Sequence, residues 1–133
     1  MRLIISSCGF MVTLSLIILI HSTIIGNNIR KSEVSNSLDI AMDYAFDMIC
    51  ETYADEDYSR YKEEQKNEIC KNIMNKFCIY LSEMIISDGE VKVYLVEADL
   101  NLGLFHIKVV EEYNYPFKIK KGKCYYEKTY TLI

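Results

Sequence analysis

Proline is almost missing from this chain of 133 residues; Pro116 is the single one, and the five Gly are scattered. A chain so poor in both has no flexible linker and no low-complexity segment, and it shows no internal repeat. Tryptophan is absent and histidine is limited to His21 and His106, which leaves little room for a His-based catalytic pair. No C-x-x-C, H-E-x-x-H, G-x-S-x-G or phosphate-cradling Gly-rich pattern occurs, so nothing points to redox, metal-assisted, acyl-transfer or phosphoryl chemistry. The expectation is a non-enzymatic protein with no cofactor, no metal and no small-molecule substrate.

The most consequential shortage is charge near the amino terminus. No Asp, Glu, Lys or Arg lies between Arg2 and Arg30, and residues 3–25 include thirteen Leu, Ile, Val or Phe. As a helix those residues span roughly 34 Å, enough for a hydrocarbon core of about 30 Å. Their summed insertion energy is roughly −4 to −8 kcal/mol. The hydroxyls of Ser6, Ser7, Thr13, Ser15, Ser22 and Thr23 take back little, because each can bond to the preceding turn. A cleaved secretory signal is the rival reading, but the run exceeds the usual apolar length and no A-x-A-like site follows. The sequence therefore predicts a transmembrane anchor over 1–27 and a single extracytoplasmic domain over 28–133. Arg2 precedes the span and Arg30 and Lys31 follow it, so the positive-inside rule is close to balanced. The acidic region beyond favours the domain outside. His21 falls at the outer end of the span, at headgroup level.

Beyond the anchor, residues 32–90 carry 14 acidic against 5 basic side chains, and residues 91–133 carry 5 against 7. Apolar steps of four and three (Val34, Leu38, Ala41, Ala45, Met48) predict an amphipathic helix over about 29–50. Ala41 and Ala45 would allow a partner helix close approach. Asp39, Asp43 and Asp47 recur on another face and read as a solvated acidic surface. Residues 51–59 read as a loop whose acidic cluster lacks the Gly and closing Glu of a calcium site. A second amphipathic helix over about 60–86 carries Ile73, Phe77, Leu81 and Met84, flanked by Cys70, Met74, Cys78 and Ile85, and Asp88-Gly89 ends it.

The remainder alternates with period two. Strands are expected at about 91–97, 104–115 and 123–132, a three-stranded antiparallel β-meander with one face covered by the helices. The fold class is α+β. Lys118, Lys120, Lys121, Lys123 and Lys128 lie among Tyr113, Tyr115, Tyr125, Tyr126 and Tyr130. Such interleaving suits an anionic ligand such as a cell-wall polymer, with nucleic acid a lesser candidate. Lysines at a hairpin and a sheet edge also serve simply to keep the edge soluble. Outside the anchor are Cys50, Cys70, Cys78 and Cys124. Cys70 and Cys78 are about 12 Å apart along one helix, too far to bridge. Two disulfide pairings stay open: Cys50–Cys70 with Cys78–Cys124, or Cys50–Cys78 with Cys70–Cys124.

In order of parts the chain resembles pilin-like and pseudopilin-like proteins, and more closely the small single-pass proteins of Tad-type pilus systems in Gram-positive bacteria. The resemblance is carried by the segment GLFHIKVVEEY (103–113), by Tyr115-Pro116 and Gly122-Lys123, and by the closing TYTLI (129–133). It implies an accessory or minor component with membrane lipid and other membrane or pilus-assembly proteins as partners. The chain departs from a processed pilin, in which a Gly precedes the apolar run and a Glu follows five residues on. Here Gly9 lies within the run and Leu14 occupies the fifth position after it.

Overall fold

The computed structural model describes residues 2–86, 88–116 and 120–132, with side chains from Ser7 onward. The elements are helix α1 (Arg2–Tyr53), a 3₁₀ turn at Tyr58–Arg60, helix α2 (Glu63–Met84) and strands β1 (Val91–Asp99), β2 (Leu104–Asn114) and β3 (Lys121–Thr131). The fold is α+β, with two helices and not the three expected. The anchor and the first amphipathic helix are one 52-residue element. Nothing between them can stop a helix. There is no Pro, Gly26 alone costs only about 1 kcal/mol, and Asn27 and Asn28 are tolerated in mid-helix.

α1 changes character along its length. Every residue from Ser7 to Ser22 is exposed, and burial by the rest of the chain begins at Val34. The helix satisfies its own hydroxyls within the apolar part: Thr13 donates to the Gly9 carbonyl at 2.8 Å, Ser15 to Met11 at 2.9 Å and Thr23 to Leu19 at 2.9 Å. From Val34 the buried line runs through Leu38, Ala41, Met42, Ala45, Phe46 and Ile49. Met48, expected on that line, is only half-buried. The step of four from Ala45 to Ile49 keeps the face that the step of three to Met48 would leave.

The loop between the helices is more ordered than its composition suggests. The Asp57 carboxylate accepts from the Ser59 amide at 3.1 Å and the Ser59 hydroxyl at 2.6 Å, which sets the 3₁₀ turn. Tyr58 is thereby buried and donates to the Tyr53 carbonyl at 2.8 Å. α2 opens with the Gln65 side chain accepting from the Lys62 amide at 3.1 Å, and Glu63 and Glu64 favour the positive helix end. It buries Ile73, Phe77 and Leu81, while Met84 stays exposed.

The sheet is an antiparallel meander in the order β1-β2-β3. Alternation along β2 is complete. Phe105, Ile107, Val109, Glu111 and Tyr113 turn to the core, and their neighbours are half-buried on the other face. At the β1–β2 turn Gly103 takes φ +65°, a backbone shape side chains resist, and its amide donates to Leu100 at 3.3 Å. A bulge after Leu95 shifts the register so that Glu97 faces His106. The core joins α1, α2 and the inner sheet face, with Phe46 stacked on Tyr130 at 4.3 Å between ring centroids and tilted on Phe105 at 6.1 Å.

Candidate functional site

β3 runs alongside the upper part of α1, and the two meet at matched intervals. Ser35 donates to the Tyr126 hydroxyl at 3.1 Å. Lys128 is held by Asp39 and by Asp43, the latter at 2.9 Å. The Tyr130 hydroxyl donates to Asp43 at 3.1 Å. Four helical residues rise about 6.0 Å and two strand residues about 6.6 to 6.8 Å, so the series Ser35, Asp39, Asp43 keeps step with Tyr126, Lys128, Tyr130. Asp39 and Asp43 are therefore more than a solvated acidic face: while keeping contact with water, they dock the strand on the helix. Burial works against charge on Lys128, but hydrogen bonds from Lys128 to Asp39 and Asp43 outweigh it and hold the ammonium above its ordinary value. Burial, reinforced by the charge of Asp43, raises the Tyr130 phenol far above its ordinary range.

This network divides the expected lysine patch. Alternation along β3 sends Lys128 to the helix side and Lys121 and Lys123 to the outer face. Lys123 pairs with Glu112 at 3.2 Å, its cross-strand neighbour. That pairing holds the Glu112 carboxyl below the usual carboxylate value. Lys120 and Lys121 are exposed, and Lys118 lies outside the described residues. Of the tyrosines among them, Tyr113 is buried, Tyr125 is exposed with Lys108 over its ring at 5.2 Å, and Tyr126 and Tyr130 face α1. On the same outer face His106 Nε2 lies 2.8 Å from Glu127 Oε1.

Neither disulfide pairing is formed. Cys70, Cys78 and Cys124 carry free thiols, and Cys50 Sγ donates to the Thr131 carbonyl at 3.8 Å. Cys124 is buried opposite Glu111 in the strand pair. Burial, then the nearby Glu111 charge, pushes its thiol up to about 11. The helix-packing stripe is also spent within the chain. Val34, Leu38, Ala41 and Ala45 belong to the core that α1 shares with α2 and the sheet, so that face is not open to a partner helix.

α2 packs chiefly on α1 and only lightly on β1. A groove is left between α2 and the sheet edge, with a cleft of about 370 Å³ bounded by Cys78, Leu81, Ile85, Val91 and Val93. Among the described residues no group of three or more His, Cys, Asp or Glu is placed to hold a metal ion.

Compared with known proteins, the chain matches no family model, no curated protein and no solved structure. The layout itself is pilin-like: a long apolar amino-terminal helix followed by a three-stranded antiparallel sheet. Within α1 lies a helix long and apolar enough to cross a membrane, near the amino terminus, where a signal sequence would pass the same test. Sequence reading missed the Asp39–Asp43–Lys128 network. A signal was there, in the match between four-residue steps of Asp on the helix and two-residue steps of Tyr and Lys on the last strand.

Proposed function

We propose that this protein is a non-enzymatic, membrane-anchored accessory or minor component of a pilus or secretion-type assembly, with its globular domain outside the cytoplasm. One observation carries the reading. The helix that is bare and apolar from Ser7 to Ser22 is the same helix that forms the spine of the domain core from Val34 to Ile49. An anchor needed only as a tether is usefully followed by a flexible linker. A continuous helix instead fixes the domain relative to the membrane, which suits a part that must meet neighbours in a set orientation. The side chains from Phe10 to Ile25 remain free to pack on lipid or on other membrane helices.

Binding of an anionic polymer through the lysine hairpin is the weaker reading, because Lys128 and Lys123 already have carboxylate partners. A photo-crosslinking residue placed at Ile18, which is 64% exposed, tests the assembly reading in intact cells. The expected result is a discrete adduct with another membrane protein of the apparatus. Adducts with lipid alone would sink it.

A further inference from the structure

Three segments distant in sequence meet at the end of the domain where α1 emerges from its apolar stretch. A Cβ added at Gly26 would lie 3.9 Å from Pro116 Cγ, so Pro116, just after β2, lies against the helix one residue beyond the apolar run. One turn further on, Arg30 donates to Asp88 at 3.0 Å, which brings the α2–β1 connection to the same level. Lys120 belongs to this end as well, since its carbonyl accepts from the Tyr115 amide at 3.3 Å.

Two features of this end lack an explanation within the chain. Ile86, two residues before Asp88, is 94% exposed, whereas no other exposed large apolar side chain among those described exceeds 66%. Lys31, Lys120 and Lys121 are exposed and form no ion pair among the described residues. Their neighbours do: Arg30 with Asp88, Lys92 with Glu90, Lys123 with Glu112. Among the described residues Lys31, Lys120 and Lys121 therefore have no direct carboxylate contact, although Glu33, two residues after Lys31, and Glu83, three before Ile86, are exposed as well.

Helical rise places the α1 side of this end. If residues 3–25 cross the hydrocarbon core, positions 26–31 lie about 1.5 to 9 Å beyond it. The polar layer on each side of the core is about 5 to 7 Å deep, so the Lys31 backbone stands just beyond it and its long side chain spans the difference. We propose that this end of the domain is a second membrane contact, in which Ile86 enters the headgroup–acyl boundary and Lys31, Lys120 and Lys121 engage anionic phospholipid headgroups. The inference depends on α1 being a retained membrane helix. Apolar insertion beside basic side chains is the combination by which peripheral segments hold an anionic leaflet. With α1 as the first contact and this face as the second, the tilt of the domain is fixed by the bilayer.

The chain has no Trp, so Ile86→Trp supplies a unique indole at an exposed site where substitution leaves the core untouched. The full-length chain would be placed in vesicles of phosphatidylcholine, with or without phosphatidylglycerol, carrying lipids brominated near the glycerol end of the acyl chain. The expected result is blue-shifted, quenched emission, stronger with phosphatidylglycerol. Reversing Lys120 and Lys121 to Glu should lower the docked-to-undocked ratio in the anionic vesicles by at least fivefold per lysine, about fivefold being the effect of losing the positive charge alone. Water-like, unquenched emission from chain that resists carbonate extraction would overturn the docking and leave the anchor intact. Release of the chain by carbonate would overturn the anchor and the docking with it. Quenching indifferent to phosphatidylglycerol and to both reversals would overturn the headgroup pairing. So would reversals that abolish capture of a soluble anionic polymer without changing quenching.

Discussion

Lys128 on the last strand lies 2.9 Å from Asp43 on the first helix, 85 residues earlier in the chain. The pair closes the long loop of sequence between α1 and β3, and Asp39 and the Tyr130 hydroxyl share it. Both charged side chains keep some contact with water, so the stabilisation is modest. A double-mutant cycle of Asp43→Ala and Lys128→Ala should give a coupling of about 0.5 to 1 kcal/mol by denaturant unfolding. The Lys128 single variant should cost more than the Asp43 one, because it also removes an apolar stem and leaves Asp39 without its cation. Zero coupling would mean that the Asp43–Lys128 pair adds nothing, and that the other contacts, such as Phe46 stacked on Tyr130 and Ser35 bonded to Tyr126, hold the helix and strand.

Gly122 sits opposite Tyr113 in the β2–β3 pair, and the tyrosine ring covers it. A Cβ built there would come within 2.4 Å of the ring. Tyr113 is 1% exposed and has no free space into which to swing. Gly122→Ala should therefore destabilise the domain by about 1 to 3 kcal/mol, as overpacking does. Tyr113→Leu in the same chain should recover part of that loss. Unfolding curves for the two single variants and the double variant check this directly, and strictly additive losses would refute the steric account.

Alkaline pH should destabilise the domain. Burial, then the Glu111 charge, raises Cys124 from 9.0 to about 11. Burial, then the Glu56 charge, raises Tyr58 from 10.0 to about 12. Lys128, Tyr113 and Tyr130 move the same way. Each group holds its proton more tightly folded than unfolded, so its contribution is complete below the unfolded value and lost as pH rises through the folded one. Stability should fall progressively from about pH 9 to 12. Cys124 should resist alkylation at neutral pH until the chain unfolds. A flat stability profile across that window would contradict the burial of these groups.

The elements were largely legible in the sequence because each rests on a local period. Alternation at Phe105, Ile107 and Val109 marks β2, and the turn chemistry of Asp88-Gly89 and Asp99 to Gly103 bounds the strands. The four-residue recurrence of Ile73, Phe77 and Leu81 marks α2. What failed were statements about faces and the helix count. The anchor and the first amphipathic helix are separate in composition, but hydrogen bonding continues through a composition change when no Pro intervenes. Met48 was placed on the buried line by spacing alone, while packing against α2 and the sheet selected Ile49.

The lysines show the same limit. Sequence proximity grouped Lys120, Lys121, Lys123 and Lys128, and the pleat separated them: Lys128 turns inward to Asp39 and Asp43, and Lys123 turns outward to Glu112. The cysteines were candidates for two pairings on helical distance, and the fold formed neither.

By itself, then, the sequence determined the apolar helix, the α+β order and the three strands, since these depend on residues a few positions apart. Only the tertiary structure decided which acids meet which lysine, and which end of the sheet stands beside the apolar run. Those outcomes depend on contacts such as Asp43 with Lys128 and Gly26 with Pro116, between residues more than 80 positions apart, which no local period can encode.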